Sequence, residues 1–405
     1  MRPVPRGTLK LVAVAAALVA ALLVWALATH APSFWLRYTG ALLEPHALAA
    51  AWYQPRELLR GGNEPPAPRV APELESLDAR ALDVAADYAS GHRARALIIS
   101  RHDHIVYERY WQGSSFDTVS DARGFTPVLA ALAAGVAFSH RLIAWPDQPL
   151  KYFIPEWSSE PRGLITVRNL MQMSSGLKPP DASALPWAAY AQQRYGASLL
   201  GAVMSEPLAA RPGSVWLEQA ADPQLLALAI ERAVRMRYAD YVSQVLWQRL
   251  GAADAWLWLD RPGGTAHADC CMLARQGDWI RVGQLLVSDG RYRGSELMRP
   301  GWVALMRAPS PADADHGAFL RVGTRVSGGS EPYAAPDLFV LDGGPGNRMW
   351  MVPSMQLVVL LLGAAADGGN WDDTRVPNLT MRAARDYLPA AARPGADVSA
   401  LVPGH

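Results

Sequence analysis

Lysine is scarce in this chain, and it is the amine that a protein can turn into a neutral base. It occurs only at Lys10, Lys151 and Lys178 among the 38 Lys and Arg residues. A lysine whose pKa is lowered can take a proton from a serine nucleophile. Ser175 stands three positions before Lys178, which would place both on one face of a helix. However, Pro179 follows, so the sequence does not predict a long helix there.

Cys270 and Cys271 are the two cysteines of the chain, and they are adjacent. Their Cα atoms lie only ~3.8 Å apart across a trans peptide, so we predict two small core residues rather than a bridge. No Cys/His spacing is typical of a zinc site, so neither a metal ion nor another cofactor is predicted. Asp313 and His316 could meet a metal ion, but a solvated polar loop is the preferred interpretation. The formal net charge of +1 does not indicate a nucleic-acid partner.

The N-terminal region, residues 1–30, contains the apolar run Leu11 to Ala28, preceded by Arg2, Arg6 and Lys10. A membrane-spanning helix needs ~20 apolar residues, and ~17 can suffice. Basic residues before the run favour a cytoplasmic N-terminus. We therefore predict a helix anchored in the inner membrane, with the folded part in the periplasm. A cleaved signal peptide followed by secretion is the alternative, because residues 26–28 read Ala-Leu-Ala.

Residues 31–72 read as an approach segment that ends in a Gly/Pro-rich linker. Hydrophobic periodicity then predicts a series of helices: 72–90, 127–139, 222–236, 238–251, 277–290 and 378–387. Short β-branched and aromatic runs predict the strands: 96–100, 105–110, 319–326, 337–342, 348–352 and 356–363.

Strands near both ends with helices between them indicate an α/β (α+β) domain carrying an all-α insertion. The predicted α/β lobe is an antiparallel sheet flanked by helices, made of residues 73–140 and 291–390. The helical lobe covers 141–290, and 391–405 form a tail. The oligomeric state is not predicted.

Four segments in fixed order resemble one family: SDARGFTPVLAALAAGVAFSHRLIAWPDQPLKYFIPEW (120–157), ITVRNLMQMSSGL (165–177), PGSVWLEQAADPQLLALAIERA (212–233) and YVSQVLWQRLG (241–251). They resemble the class C β-lactamase superfamily, which includes penicillin-binding proteins, and most closely its 6-aminohexanoate-dimer hydrolase-like branch. The resemblance runs from Leu97 to Gly363. It implies a β-lactamase/transpeptidase-like fold and a nucleophilic serine at the start of a buried helix between the two lobes.

The first catalytic motif implied by the resemblance is Ser-x-x-Lys, and the aligned residues are Ser120-Asp121-Ala122-Arg123. Ser120 is therefore the implied nucleophile, and Arg123 stands in place of the lysine. A guanidinium has a pKa above ~12, so Arg123 cannot act as the base.

The second motif, Tyr-x-Asn or Tyr-x-Ser, falls on Glu218, with Ala220 as its third residue. A carboxylate thus replaces the phenol that shares proton transfer. If Arg123 and Glu218 lie together beside Ser120, their charges predict a bidentate ion pair.

The third motif, Lys-Thr-Gly or a variant, falls on the strand end Asp342-Gly343-Gly344 and on Gly346. The resemblance implies that these residues bind substrate, and that the backbone N–H groups of Ser120 and of a residue near Gly344 form the oxyanion hole.

Two functions follow from these substitutions. The chain is either a serine hydrolase of amide, ester or peptide substrates, with Glu218 as the replacement base, or a non-catalytic envelope protein. The second function would use the cleft between the lobes to bind a small molecule or peptide, or would be that of a scaffold.

Overall fold

The computed structural model describes residues 14–21, 24, 31–44, 50–121, 123–180, 182–183, 185–324, 329–344, 346–363 and 371–386. The α-helices of this part that fall outside residues 14–24 are α1 (Pro32–Leu43), α2 (Ala79–Gly91), α3 (Thr126–Ser139), α4 (Val167–Met171), α5 (Ala189–Tyr195), α6 (Leu199–Met204), α7 (Ala221–Val234), α8 (Tyr238–Val242), α9 (Trp279–Val287), α10 (Trp302–Arg307) and α11 (Arg375–Arg382). The strands are β1 (Arg56–Leu59), β2 (Ala96–Arg101), β3 (His104–Tyr110), β4 (Val119–Asp121), β5 (Ala255–Trp258), β6 (Leu273–Arg275), β7 (Arg291–Tyr292), β8 (Ser295–Glu296), β9 (Phe339–Asp342), β10 (Arg348–Val352) and β11 (Leu357–Leu362).

The larger sheet has five antiparallel strands in the order β3-β2-β11-β10-β9. Successive side chains on a strand point to opposite faces, and β2 and β11 are apolar and buried on both. Ile98 and Val358 join one core cluster, whereas Leu97 and Val359 join the other. Helices α2 and α11 pack against each other, and α9 packs against β11. The predicted antiparallel sheet flanked by helices is therefore confirmed.

A second, four-stranded sheet has the order β1-β5-β6-β4, and the sequence did not predict it. Strands β5 and β6 lie within 141–290, so the prediction that this region is all-α was wrong. Strand β1 comes from the predicted approach segment and pairs along its whole length with β5, from Arg56↔Trp258 to Leu59↔Ala255. These strands are three or four residues long, too short to show a clear alternation of apolar and polar side chains.

Helix α3 crosses the interior, and its residues from Thr126 to Ala137 are all buried. Such a helix is apolar all round, as the sequence predicted. Gly135 allows close packing there, because a Cβ would lie 2.4 Å from Trp302 Nε1. That indole N–H donates to the Ala131 carbonyl at 3.1 Å.

Two predicted elements differ in the structure. The predicted strand 319–326 is absent as far as Thr324, where Arg321 forms only isolated bridges to His316 and Val340. Residues 325–326 lie outside the described part. The final helix ends at Arg382 rather than at 387.

The predicted anchor, Leu11 to Ala28, falls largely outside the described residues. Residues 14–21 and 24 are helical and exposed. In the portion of the chain for which positions are described, none of the helices has both the length and the apolar character that a membrane crossing requires.

Candidate active site

Ser120 lies in strand β4, opposite Ala274 of β6, and is only 5% exposed. The resemblance implied a serine at the first turn of the buried helix, but α3 begins six residues later, at Thr126. A 3-10 turn over Arg123–Phe125 separates the strand from the helix. Ser120 and Arg123 therefore do not share a helical face, although a Ser-x-x-Lys spacing on a helix would place both residues on one face.

Arg123 is exposed and has a left-handed backbone, with φ +52. Its N–H donates to Asp121 Oδ1 at 2.8 Å, which closes a tight turn after the strand. Glu218 is also exposed, and no ion pair joins it to Arg123, although the structure describes both residues. The predicted ion pair is therefore wrong. Both charges keep their hydration, whereas a buried pair would lose several kcal/mol of it per ion.

The lysines that the structure describes do not replace the missing base. Lys178 and Lys151 are exposed, and Lys151 Nζ lies over the Tyr152 ring. Ser175 is fully buried, and Gly176 follows it with φ +77, so Ser175 and Lys178 do not share a helix turn. Among the described residues, no amine donates to or accepts from Ser120.

In the second motif, Glu218 is exposed and its neighbour Gln219 is buried. The Gln219 amide donates to Ser175 Oγ at 2.8 Å and to Asp222 Oδ1 at 3.0 Å. Asp222 lies in the first turn of α7 and is fully buried, and this burial raises its pKa well above the usual range. Ala220 immediately precedes α7. The network fastens the residues around Ser175 to α7.

The third motif lies beside the first, as the resemblance implied. The Gly124 N–H points to the Gly343 carbonyl at 3.4 Å, and a Cβ on Gly124 would lie 2.6 Å from the Asp342 carbonyl oxygen. Only a glycine permits this approach of the turn after Ser120 to the end of β9.

The backbone donors of the third motif are already engaged. The Gly344 N–H donates to Asp342 Oδ1 at 2.8 Å, and the Gly343 N–H donates to the Asn347 carbonyl at 3.0 Å. Gly344 and Gly346 have φ of +82 and +83, which fit the tight turn.

The Asp342 carboxylate that accepts the Gly344 N–H is itself fixed. It receives Arg348 Nη1 at 2.6 Å and Arg321 Nη1 at 3.2 Å. The Gly344 amide implied for the oxyanion hole thus serves a salt-bridged carboxylate instead.

A polar cluster that the sequence did not indicate lies next to Ser120. Burial raises the pKa of Asp121, although the Arg123 N–H and the Arg194 guanidinium oppose the shift. Arg194 Nη1 lies 3.8 Å from Asp269 Oδ2. Burial also opposes ionisation of Asp269, but His267 and Arg194 outweigh it and the pKa is lowered. These residues come from β4, α5 and the loop before β6, so no spacing in the sequence brings them together.

The same loop contains a disulfide between Cys270 and Cys271, whose Cα atoms are 3.7 Å apart. The prediction of two unbridged core cysteines was therefore wrong, although both are buried. Cys271 has a left-handed backbone, with φ +72. General geometry makes a bridge between neighbours uncommon, but it does not forbid one.

The five-stranded sheet covered on both faces, the buried helix after Ser120 and the glycine turn beside it define a serine β-lactamase/transpeptidase-like fold. The chain belongs to the Beta-lactamase family, whose family model matches residues 83–376. The resemblance found in the sequence is thus confirmed.

Individual relatives agree with this assignment. The 6-aminohexanoate-dimer hydrolase of Paenarthrobacter ureafaciens is 32% identical over 96 residues, which are 23% of this chain and 24% of that protein. The match thus spans about a quarter of the relative's length.

Two solved structures share the fold at low sequence identity. A Bacillus anthracis protein, provisionally described as a 6-aminohexanoate-dimer hydrolase, superposes with a TM-score of 0.64 at 15% identity, covering 86% of this chain and 92% of that one. The octameric penicillin-binding protein homologue of Pyrococcus abyssi gives a TM-score of 0.56 at 15% identity, covering 75% and 76%.

Proposed function

We propose that this chain is a family member without standard Ser-Lys-Tyr hydrolysis, and that it binds a small molecule or peptide in the cleft that the resemblance implies beside Ser120. The observation that supports this most directly is the position of Arg123. It occupies the lysine position of the motif, yet it is exposed and lies on a left-handed turn. Among the residues that the structure describes, Ser120 therefore has no amine that could take its proton.

The oxyanion hole supports the same proposal. Donors aimed at the developing oxyanion supply about 2.7–4 kcal/mol each in serine hydrolases. Here the Gly344 N–H is held by Asp342, and two arginines hold that carboxylate in place. Redirecting the amide toward a substrate would require breaking this charged network.

A serine hydrolase with a different base is the competing function, and one observation favours it. Asp121 is next to Ser120 and has a raised pKa, which is a useful property in a general base. However, consecutive residues of a strand point to opposite faces. Asp121 and Ser120 both belong to β4, so the carboxylate points away from the Ser120 hydroxyl.

A serine-reactive probe tests the proposal. We expect that neither a fluorophosphonate nor a fluorescent penicillin labels the folded full-length chain under conditions that label an active serine hydrolase. Ser120→Ala is the test variant, and Ser175→Ala is the matched control, since Ser175 is the buried serine of the other Ser-x-x-Lys sequence. Labelling that Ser120→Ala abolishes and Ser175→Ala retains would overturn the proposal.

We further infer that the folded part lies in the periplasm, with the apolar run Leu11 to Ala28 as an inner-membrane anchor. The basic residues before the run support this orientation. The disulfide between Cys270 and Cys271 supports it too, because disulfides persist in oxidising compartments.

A further inference from the structure

The loop before β6 brings three metal-binding side chains together outside the three catalytic motifs. His267 Nδ1 lies 2.9 Å from Asp269 Oδ1 and 4.0 Å from Cys270 Sγ. The three ligand atoms all lie within 4.8 Å of one another. The His267 and Asp269 side chains are 1% and 7% exposed, so the group is shielded from bulk water. We propose that reduction of the Cys270–Cys271 disulfide turns this loop into a Zn²⁺ site formed by His267, Asp269 and Cys270.

The reduction is a two-electron step, and its co-reactant is a dithiol. The dithiol gives two electrons and two protons to the disulfide, the S–S bond breaks, and the dithiol becomes a cyclic disulfide. Cys270 and Cys271 are then thiols. When Zn²⁺ binds, Cys270 releases its proton to solvent and the thiolate sulfur becomes a ligand. In the disulfide form that sulfur is bonded to Cys271 and offers no thiolate.

The distances suit a tetrahedral ion after small movements. Zn²⁺ binds nitrogen, oxygen and sulfur at about 2.0–2.3 Å, which places tetrahedral ligand atoms about 3.3–3.8 Å from one another. The His267–Asp269 pair is closer than this and the Cys270–His267 pair slightly farther. The ion would take the place of the proton that now joins Nδ1 and Oδ1. Three protein ligands leave the fourth position for water.

Tyr53 supplies the outer contact that a metal-binding histidine needs. Its hydroxyl lies 3.1 Å from His267 Nε2 and 3.5 Å from the Arg194 carbonyl. With the proton on Nε2, His267 donates to Tyr53 and Tyr53 donates to that carbonyl, so the Nδ1 lone pair is free for the ion. Such outer partners fix the ring and tautomer of metal-bound histidines.

The local charge also favours a cation. Asp121 and Asp269 lie within electrostatic reach of each other and share the Arg194 guanidinium. Arg194 approaches Asp269 Oδ2 rather than the Oδ1 that faces His267, and its side chain is 26% exposed. Its guanidinium therefore leaves Oδ1 facing His267 and open to an ion. A Cys270 thiolate would add a further negative charge that only a cation could balance.

Metal uptake by the full-length protein tests the proposal. The protein is prepared oxidised, or reduced and then freed of reductant without air, and is titrated with Zn²⁺ and with Co²⁺. We expect one equivalent bound by the reduced protein and none by the oxidised protein. The Co²⁺ form should show a thiolate-to-metal charge-transfer band. Reduced protein that binds no metal would overturn the proposal.

Two matched variants separate the metal site from the loss of the disulfide. Cys270→Ser and Cys271→Ser both remove the S–S bond with a nearly isosteric change. We expect Cys271→Ser to bind the ion without reduction, and Cys270→Ser to lose binding in both states. Zn²⁺ should raise the unfolding temperature of Cys271→Ser but not that of Cys270→Ser. Equal uptake by the two variants would show that the Cys270 sulfur is not a ligand.

Discussion

Glu206 is a buried carboxylic acid that forms no salt bridge with any of the described residues. It is 7% exposed, and its Oε1 accepts from the Gln193 amide at 2.8 Å. Within the part of the chain that the structure describes, its Oε2 has no hydrogen-bond partner. Burial raises the pKa of Glu206 from 4.5 to about 7, although the Gln193 hydrogen bond opposes the shift. Folding therefore favours the protonated acid, and ionisation at neutral pH works against the native state.

Glu206→Gln should stabilise the protein above pH 7. The folded pKa is raised, so the wild-type free energy of unfolding falls as pH rises from 4.5 to about 7 and is level above that. A glutamine removes this loss, which is worth up to about 3 kcal/mol at 1.36 kcal/mol per pKa unit. Urea unfolding at pH 4.5 and pH 8 measures it. Glu73→Gln, at an exposed site, is the control and should leave the pH dependence unchanged.

The sequence predicted which motif segments lie beside each other better than it predicted the direction of their side chains. Ser120 and Gly343 do lie on neighbouring segments, because the order of the motifs reflects the order of the elements. The outward turn of Arg123 could not be predicted, since a left-handed φ in a non-glycine residue depends on what surrounds it. The hydrogen bond of the Gly344 N–H could not be predicted from the sequence either, because it requires the Asp342 side chain to fold back onto its own turn.

One buried guanidinium, that of Arg37, hydrogen-bonds helix α1 to the body. Arg37 Nε donates to the Gln54 carbonyl at 2.9 Å, and Nη1 donates to Tyr195 and Gly196 carbonyls at 3.1 and 3.0 Å. Nη2 reaches the Leu259 carbonyl at 3.3 Å. One side chain thus joins the N-terminal segment to the end of α5 and to the residue after β5.

Arg37→Met should destabilise the protein strongly. Methionine keeps much of the side-chain volume but leaves buried carbonyls without donors, at about 1–3 kcal/mol for each group left unsatisfied. We expect a loss of about 2–4 kcal/mol, measured by urea unfolding. Arg80→Met, at an exposed position of α2, is the control and should change stability by less than about 0.5 kcal/mol. An equally small effect of Arg37→Met would show that α1 is held by its aromatic contacts instead.

Elements with long, strongly apolar patterns were the ones that the sequence predicted. Helix α3 and strands β2, β10 and β11 carry such patterns, and each lies where it was expected. The second sheet was missed because its strands are only three or four residues long, too short for a clear alternation of apolar and polar side chains. The predicted strand 319–326 alternates like a real one, but as far as Thr324 two isolated bridges at Arg321 replace a ladder.

Very few residues connect the N-terminal apolar run to the folded body. The run ends at Ala28 and α1 begins at Pro32. If the run is an anchor, Arg37 would hold the body close to the bilayer.

Fractionation of cells that make the full chain tests this orientation. We expect the protein to stay in the membrane fraction after alkaline extraction and to become sensitive to protease once the outer membrane is opened. Leu18→Arg combined with Val19→Arg should release it, since each arginine costs about 2.5–3.5 kcal/mol at the centre of a spanning helix. If the protein is extractable and its intact mass corresponds to a chain that starts after Ala28, the run is a cleaved signal peptide instead.

The hydrogen bond from the Gly344 N–H to Asp342 has a consequence for inhibitor chemistry. Boronic acids inhibit serine enzymes by forming a tetrahedral adduct, and that adduct needs backbone donors for its negatively charged oxygen. Here Asp342, clamped by Arg321 and Arg348, already occupies the Gly344 donor. We therefore expect that boronates which inhibit related hydrolases form no covalent adduct with this chain. Compounds that do bind it should bind non-covalently, through shape and charge complementarity.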